Sequence, residues 1–454
     1  MDSPSPPHLL VFPFMAKGHI TPLLHIADLF RRRGAAVTLL TAPANRPFIA
    51  SCLSHPAAIS IVDIPFPTNI PGIPPGIEST DQLPDISLWL ELVEATKLMQ
   101  PHFEQILQSL HPRLTLMITD FFLGWTLDSA NKFSVPRLAN YPMGSLPLCV
   151  SRLVPQGRFN VEGEKIKLHD LPWIDLKKGD ISAVFIDPEG TKGTKYHDLT
   201  YEHSNSTMNS YGVVANTFYE MESEIVDLWN SKIGPPLWCL GPAGAPTARE
   251  PSQANRRTPW WISWLDQMAA EGKPVLYAAF GTQVEISAAQ FREVQAGLEE
   301  SGENFLWVVR KNGSDLELGF EERVRGRGIV VKEWVDQREV LDHGTVQGFL
   351  SHCGWSSLME SVCAKVPVAA WPMMWEQPLN AAAAEMAGVA VRIEERDGFV
   401  TREALARAVK DLMEGDAGEK VRKKVEEVGG AAVRAVEEGG SSWNAVGRLL
   451  SQLA

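Results

Sequence analysis

One pattern, an apolar strand followed by a loop, an amphipathic helix and a second apolar strand, occurs twice in this chain. The first copy begins with HLLVFPF at residues 8–14 and ends with AAVTLLTA at residues 35–42. The second copy begins with PVLYAAFGTQ at residues 274–283 and ends with NFLWVV at residues 304–309. Strands that alternate with helices in this way form parallel sheets with right-handed crossovers. The chain is therefore expected to be an α/β protein with two Rossmann-like domains.

The length of 454 residues agrees with two domains, because a single hydrophobic core stops growing at roughly 250–300 residues. Residues 242–258 are rich in Pro, Ala and polar residues and show no apolar period, as expected of an interdomain linker. We predict an N-terminal domain at residues 1–241, a C-terminal domain at residues 259–438 and a last amphipathic helix at residues 439–454. Ligands bind beyond the carboxyl ends of parallel strands, so two facing domains predict a cleft lined by both.

Three local features are also predicted. Thr21 followed by Pro22 is typical of a helix N-cap with proline at the first helical position, which places the preceding Gly-His pair in a loop. Residues 64–86 contain too much Pro and Gly for regular structure and are expected to form a long, pocket-shaping loop. Residues 155–200 show no clean period and are expected to form short helices and loops.

Composition indicates which classes of partner the protein binds and in which cellular compartment it is expected. The formal net charge of −13 disfavours nucleic acid, because phosphate binding relies on clustered Lys and Arg. No stretch reaches the roughly 20 apolar residues that span a bilayer, and the first residues lack the basic start of a secretory signal. The five cysteines are scattered without a C-x-x-C pair, which argues against disulfides and zinc. A cytoplasmic protein with reduced thiols is therefore expected.

Residues 334–377 hold the densest group of unusual features. Within them, GFLSHCGWSSLMES is predicted to form a strand, a turn at residues 352–354 and a helix that begins near Ser356. A helix N-terminus with a glycine and two hydroxyls suits a phosphate or diphosphate. Ser357 and Glu360 also have the S-x-x-E spacing of a capping box, so a purely structural role for the turn stays open at this stage.

The same span contains four tryptophans, whose rings can stack on a base or on a sugar face: Trp334, Trp355, Trp371 and Trp375. It closes with Glu376 and Gln377, which are predicted to lie at a strand end. There a carboxylate and an amide could bind sugar hydroxyls. A solvated loop is the alternative interpretation for this pair.

These residues resemble the signature box of plant family-1 UDP-dependent glycosyltransferases, with HCGW and P-x-x-x-E-Q in register. The resemblance extends to F-x-x-x-G-H-I-T-P near the N-terminus, to D-F-F-L-G-W, to the FGT turn and to P-x-W-x-x-W-L-D after the linker. It implies a GT-B fold in which the N-terminal domain binds the acceptor and the C-terminal domain binds the UDP-sugar. A monomer is expected, and neither a cofactor nor a metal is required; the chain contains no D-x-D motif.

Carried over position by position, the resemblance implies that Trp334 stacks on uracil while the Val335 backbone pairs with the base. Further positions are implied to bind the ribose, the diphosphate and the sugar, and a final Gln is usual in glucosyltransferases of this family. The full implied donor set is Gly18, Thr282, Gln283, Trp334, Val335, Gln337, His352, Gly354, Trp355, Ser356, Ser357, Glu360, Glu376 and Gln377. Ser356 departs from the Asn that the family usually has.

The resemblance also implies the catalytic pair. His19 is expected to act as general base toward an acceptor hydroxyl, and Asp120 is expected to orient the imidazole and stabilise its charge. The expected reaction is a single in-line displacement at the anomeric carbon, which inverts its configuration. Donors of hydrogen bonds and a helix N-terminus would then neutralise the leaving diphosphate.

Aromatic residues beside these motifs are expected to bind a flavonoid or another phenolic acceptor. They are Phe14, Phe121, Phe122, Trp125 and Trp375. The family often places Thr or Ser near the 6-hydroxyl of the sugar, where this chain has Pro142 and Met143, so pentose and hexosamine donors stay open beside glucose. Transfer to a ring carbon, UDP-sugar epimerisation and UDP-sugar binding without turnover are the alternative functions.

Overall fold

The computed structural model describes residues 6–53, 55–245, 258–281, 284, 286–309, 316–396 and 398–453. The chain divides into two compact units. The first comprises Met1–Trp173, Ile181–Ala243 and Arg434–Ala454, and the second comprises Ile174–Asp180 and Gly244–Val433. Most of the predicted linker, residues 246–257, lies outside the described residues.

The strands alternate with helices along most of the chain. The strands are β1 (His8–Phe12), β2 (Ala36–Thr41), β3 (Ser60–Asp63), β4 (Leu116–Asp120), β5 (Arg137–Tyr141), β6 (Phe159–Glu162), β7 (Lys165–Leu168), β8 (Leu176–Lys177), β9 (Gly212–Ala215), β10 (Leu237–Cys239), β11 (Val275–Ala279), β12 (Asn304–Val308), β13 (Gly328–Val331), β14 (Val346–Ser351), β15 (Val368–Ala370) and β16 (Ala390–Arg392).

The helices are α1 (Lys17–Arg32), α2 (Arg46–Cys52), α3 (Trp89–Ala95), α4 (Gln100–Ser109), α5 (Thr126–Phe133), α6 (Ser145–Leu153), α7 (Ala183–Ile186), α8 (Pro188–Thr191), α9 (Lys195–Met208), α10 (Tyr219–Lys232), α11 (Trp260–Ala270), α12 (Ala288–Ser301), α13 (Phe320–Arg323), α14 (Gln337–Leu341), α15 (Trp355–Cys363), α16 (Gln377–Met386), α17 (Arg402–Met413), α18 (Asp416–Val436) and α19 (Ser441–Leu453). In the described residues, no helix is both long enough and apolar enough to cross a membrane.

The described part of the first unit contains a parallel sheet of seven strands in the order β10-β9-β5-β4-β1-β2-β3. Alternate residues of β1 enter different cores, because successive side chains point to opposite faces of a sheet. Leu10 and Phe12 belong to one core, and Leu9 and Val11 belong to the other. Since β1 and β4 are neighbours, their carboxyl ends meet at one edge of the sheet.

The last helix, α19, completes the second of these cores. Ala445, Val446 and Leu449 are buried in the same cluster as the apolar face of α1. The Ser442 hydroxyl donates to the Gly241 carbonyl over 2.6 Å. The amphipathic pattern of the final residues thus corresponds to a helix whose apolar side is buried within the first unit.

The second unit contains a parallel sheet, whose six described strands have the order β13-β12-β11-β14-β15-β16. Its core includes residues of β11, β12 and β14 together with the apolar face of α17. The prediction of two α/β units with parallel sheets is therefore confirmed.

Two local predictions are corrected and a third is confirmed. α1 begins at Lys17 with Ala16 as N-cap, so Thr21 is not the cap and Pro22 lies inside the helix, where it supplies no N–H to the preceding turn. Residues 155–200 contain the antiparallel hairpin β6–β7 as well as short helices, because alternating charged and apolar residues fit a half-exposed strand pair. Residues 64–86 are largely irregular as predicted, with a 3₁₀ turn at Thr80–Gln82.

Candidate active site

The imidazole of His19 lies at the carboxyl edge of the first unit's sheet, beside Asp120. His19 is in the first turn of α1, and Asp120 is the last residue of β4. His19 Nδ1 is 3.0 Å from Asp120 Oδ2; the His19 side chain is 18% exposed, while that of Asp120 is fully buried. Because a carboxylate only accepts, this contact assigns the proton to Nδ1 and makes Nε2 the nitrogen that can accept another.

Two further groups donate to the Asp120 carboxylate. The backbone N–H of Phe122 donates to Oδ1 over 3.1 Å, and the side-chain amide of Asn140 donates to Oδ2 over 3.2 Å. Asn140 is buried and stands directly opposite Asp120 in the β4–β5 register. Sequence reasoning missed Asn140, because only the strand order shows that β5 ends beside β4.

A buried cation lies beneath the same carboxylate. The Arg137 guanidinium is 1% exposed and donates to four hydroxyl oxygens, those of Thr119, Thr126, Ser206 and Ser210. It also donates to the backbone carbonyl of Asp120 over 3.4 Å. Burial lowers the pKa of Arg137 to about 10, and the Asp120 charge opposes that shift. Arg137 therefore stays charged at neutral pH and balances the buried carboxylate.

Aromatic rings surround the imidazole. Phe122 stacks on His19 with centroids 5.5 Å apart and an interplanar angle of 28°, and Phe14 meets the same ring edge-on at 5.6 Å. Trp89 of α3 is 5.4 Å from Phe122. Sequence reasoning missed it because α3 is not part of any of the recognised motifs. Phe121 packs against Phe122 at 5.3 Å. Three of the expected acceptor residues are thus gathered around or next to His19.

Of the other two expected acceptor residues, one is in the core of the first unit and one belongs to the second unit. Trp125 is 6% exposed, packs against Phe12 and Phe103, and donates from Nε1 to Thr96 Oγ1. It is a core residue, since its ring and its only donor are already engaged. Trp375 belongs to the second unit, where it is 39% exposed with a positive φ of 53°.

His203 of α9 is a further residue that the sequence did not single out. It is buried, it lies 5.5 Å from the Phe121 ring, and neither ring nitrogen has a hydrogen-bond partner among the described residues. Loss of hydration lowers the pKa of His203 to about 3, so the ring is neutral. A Cβ at Gly124 would lie 2.6 Å from His203 Nδ1, which explains the glycine in the D-F-F-L-G-W segment.

In the second unit, one amide connects two residues that were expected to contact the nucleotide. Gln337 Nε2 donates to Ser357 Oγ over 3.0 Å and to Glu360 Oε2 over 2.7 Å. The capping-box interpretation is wrong, because α15 has Gly354 as N-cap and no side chain caps it. Burial raises the pKa of Glu360 to about 7.

His352 is the first residue after β14, in the turn that leads into α15. Burial lowers the pKa of His352 to about 4, so the ring is neutral at physiological pH. Its Nε2 would lie 2.8 Å from a Cβ at Gly281 and 2.6 Å from a Cβ at Gly354. Only glycine fits at these two positions, and the imidazole therefore faces two backbone segments. A neutral imidazole at this place can donate one hydrogen bond but brings no charge.

The N-terminus of α15 presents its backbone rather than its first side chain. Trp355 is 2% exposed, so its indole is buried and cannot stack on a sugar. Cys353, just before the helix, has a positive φ of 65°, and Asn380 Nδ2 donates to its carbonyl over 3.1 Å. Ser356 and Ser357 follow in the first turn. The turn thus combines a strained backbone with the N-terminus of a helix, whose partial positive charge suits an anion.

The Glu376-Gln377 pair lies at a helix start and not at a strand end, because Glu376 is the N-cap of α16. Gln377 is buried, and its Oε1 accepts from the backbone N–H groups of Met373 and Met374 over 2.9 and 3.0 Å. The carbonyl of the Gln377 amide is therefore used within the loop, and its NH₂ group is the part that can serve a ligand.

The remaining implied donor residues divide into three groups. Trp334 is 49% exposed and Val335 is buried next to it, which leaves the indole face available for stacking. Gly18 lies in the first turn of α1. Thr282 and Gln283 lie outside the described residues.

No cluster of metal-ligating side chains was found among the described residues.

Comparison with known proteins identifies the family of the chain. Residues 261–423 match the family model described as UDP-glucoronosyl and UDP-glucosyl transferase. The chain is 44% identical to UDP-glycosyltransferase 90A1 of Arabidopsis thaliana, over 98% of this chain and 96% of that one. It is 33% identical to UDP-glucose flavonoid 3-O-glucosyltransferase 7 of Fragaria ananassa, over 98% and 96% of the two chains.

Solved structures agree as well. The UGT73P12 structure of Glycyrrhiza uralensis, complexed with glycyrrhetinic acid 3-O-monoglucuronide, has a TM-score of 0.86 and 25% identity, with 99% of this chain and 96% of that chain covered. The UGT2 structure of Phytolacca americana, complexed with UDP-2fluoro-glucose and pterostilbene, has a TM-score of 0.79 and 26% identity, with 98% and 99% covered. The chain has the GT-B fold and transfers a sugar from a UDP-sugar to a small molecule. It belongs to the plant family-1 UDP-dependent glycosyltransferases.

Proposed function

We propose that the enzyme transfers glucose from UDP-glucose to a hydroxyl of a phenolic acceptor such as a flavonoid, with inversion at the anomeric carbon. Residues 1–241 bind the acceptor in this proposal, and residues 259–438 bind the UDP-sugar. The relatives named for flavonoid glucosylation support the substrate class. The observation that carries the mechanism is the 3.0 Å contact between His19 Nδ1 and Asp120 Oδ2.

The contact determines what His19 can do. With its proton on Nδ1, His19 accepts the proton of the acceptor hydroxyl at Nε2. The acceptor oxygen forms a bond to the anomeric carbon while the bond from that carbon to the β-phosphate oxygen breaks, and its electron pair leaves with UDP. The imidazolium that forms lies against the Asp120 carboxylate, which offsets its charge.

The surroundings of the pair favour this role. An ordinary histidine pKa near 6.5 gives a competent base at neutral pH, and a positioned base typically contributes about 10² to 10⁴ in rate. Asn140 and the Phe122 N–H donate to the carboxylate and orient it, and the guanidinium of Arg137 lies close to it. The stacked ring of Phe122 restricts the imidazole to one plane.

In the second unit, the same proposal assigns the leaving diphosphate to the start of α15. Backbone amides, the hydroxyls of Ser356 and Ser357 and the neutral imidazole of His352 supply hydrogen bonds without a cation. The exposed face of Trp334 stacks on uracil, Gln337 and Glu360 bind the ribose, and the Gln377 amide binds the sugar.

His19→Gln tests the mechanism. We expect kcat, measured as UDP release with UDP-glucose and a flavonol, to fall by about 10² to 10⁴, because glutamine cannot accept the proton. Binding of UDP, measured by calorimetry, is expected to equal that of the wild type. Unchanged turnover in this variant would contradict the role of His19 as the base.

A further inference from the structure

A small cavity lies next to the aromatic residues around His19, within the first unit. Its volume of about 20 Å³ exceeds the roughly 10–15 Å³ that one water molecule requires. Phe121, Tyr141, Phe185 and Trp229 form its aromatic wall. Phe121 follows Asp120 directly, and Tyr141 is the last residue of β5, so the cavity adjoins the sheet edge that carries the catalytic pair.

The cationic group of this cavity is the guanidinium of Arg152, near the end of α6. Its Nη1 donates to Ser204 Oγ over 2.9 Å, while its buried Nε has no hydrogen-bond partner among the described residues. No carboxylate of the described chain forms an ion pair with Arg152. A buried N–H without an acceptor is unfavourable, and a ligand that supplies an acceptor would remove that cost.

The hydroxyls around Arg152 show which donors are left for such a ligand. Three of them donate a hydrogen bond to a backbone carbonyl of their own helix. Ser151 donates to Leu148, Thr200 to Tyr196 and Thr207 to His203, over 2.7, 2.7 and 2.9 Å. Ser204 differs, because its oxygen accepts from Arg152 and its proton has no acceptor among the described residues. Two donors, one of them charged, therefore face the cavity.

We propose that this cavity binds the carboxylate of the acceptor, so that the preferred acceptors are aromatic hydroxy acids. A carboxylate accepts two hydrogen bonds and neutralises the guanidinium. The acceptor then carries its hydroxyl and its carboxylate at opposite ends, since Phe122 and Phe121 lie in succession from His19 at ring distances of 5.5 and 5.3 Å. This inference rests on the proposed function, because it places the hydroxyl at His19.

A matched pair of acceptors tests the proposal: 4-hydroxycinnamic acid and its methyl ester, which differ in the carboxylate charge. Hydrogen bonds to charged groups contribute about 1.5–3 kcal/mol, so kcat/KM of the wild type should favour the acid by about 10- to 100-fold. In Arg152→Met this ratio should fall toward one. Arg113→Met removes an exposed arginine of the same unit, changes the net charge equally and should keep the wild-type ratio.

Two further variants keep the result interpretable. Ser204→Ala removes one donor without changing the charge, so it should lower the acid-to-ester ratio by a smaller factor even if Arg152→Met fails to fold. A wild type that does not favour the acid, or an Arg152→Met enzyme that keeps the preference, would overturn the proposal.

Direct binding separates this proposal from the catalytic one. The acid should bind to His19→Gln, measured by calorimetry, and bind at least tenfold more weakly when Arg152→Met is added. Equal binding by the single and the double variant would overturn the carboxylate site while leaving the role of His19 untouched. If His19→Gln still turned over while binding of the acid depended on Arg152, the role of His19 would be overturned and the carboxylate site would stand.

Discussion

The catalytic site of the first unit and the nucleotide motif of the second unit are assembled in opposite ways. His19 comes from the start of α1 and lies 101 positions from Asp120, while Asn140 comes from a third element, the neighbouring strand β5. The residues from Trp334 to Gln377 are contiguous, and Gln337 reaches Ser357 and Glu360 within the same short stretch. The contacts within a contiguous motif can be predicted from the sequence. The contacts of a site that is built across several strands can be predicted only when the order of the strands in the sheet is known.

Each site also contains a buried carboxyl group, and the two groups have different environments. Asp120 receives three hydrogen bonds and lies above the charged Arg137, so its negative charge is compensated. Glu360 receives one amide N–H, and burial raises the pKa of Glu360 to about 7. The first carboxyl group therefore has three donors and a nearby cation, whereas the second has one donor and a pKa close to neutral pH.

Asp120→Asn should give the largest effect on the first site. The amide can turn its NH₂ group toward His19 Nδ1, which moves the imidazole proton to Nε2 and removes the base. The equivalent change in a Ser-His-Asp protease costs about 10⁴ in kcat, and we expect a fall of about 10³ to 10⁴ here. UDP affinity, measured by calorimetry, should not change. Combining this variant with His19→Gln should add little, since the two residues act as a unit; additive losses would contradict a shared role.

Asn140→Leu tests whether the hydrogen bond from the neighbouring strand matters to catalysis. Removing one donor to the carboxylate should lower kcat by about 10- to 100-fold, because hydrogen bonds to charged groups contribute about 1.5–3 kcal/mol. The KM for UDP-glucose should stay constant. Asn45→Leu is the matched control, since Asn45 is buried in the same unit and donates to the Glu78 carbonyl. Equal losses of kcat in both variants would assign the effect to packing.

Glu360→Gln should give the smallest effect, visible in the pH dependence of stability. The pKa of Glu360 is about 7 in the folded chain against an ordinary 4.5, so the folded state retains a proton that the unfolded chain releases. The stability that this group contributes is therefore full below about pH 4.5 and is lost as the pH rises through 7.

Between pH 5 and 8, the wild-type Tm should therefore fall further than that of the variant, by about 2–4 °C for each kcal/mol involved. Thermal unfolding of both proteins over this range provides the measurement. Parallel curves for the two proteins would mean that the carboxyl group does not titrate near neutrality.

The sequence predicted those parts of the fold and site that depend on local pattern. The two parallel sheets follow from the alternation of apolar runs and amphipathic helices, and the proximity of His19 and Asp120 follows from a resemblance, since spacing alone does not bring residues 101 positions apart together. The capping box was wrong because α15 begins at Trp355, so Ser357 lies inside the first turn, and Gln337 of another helix donates to it and to Glu360.

Burial was the other property that local pattern did not reveal. Trp125 and Trp355 looked like ligand-stacking residues, yet both are in the core. The converse holds for His203 and Arg152, which carry no sequence signal because their unusual state comes from the residues packed around them. Strand order and packing, rather than composition, decide such positions.

The helix α19 has a consequence for the way the protein is made. Its apolar residues Ala445, Val446 and Leu449 complete a core whose other buried residues lie between Leu9 and Leu240. The ribosome releases those earlier segments before α19 emerges, so one face of the first unit's sheet is incompletely covered in the interval. During that interval the nascent chain exposes the apolar residues of this core, and exposed apolar surface favours aggregation.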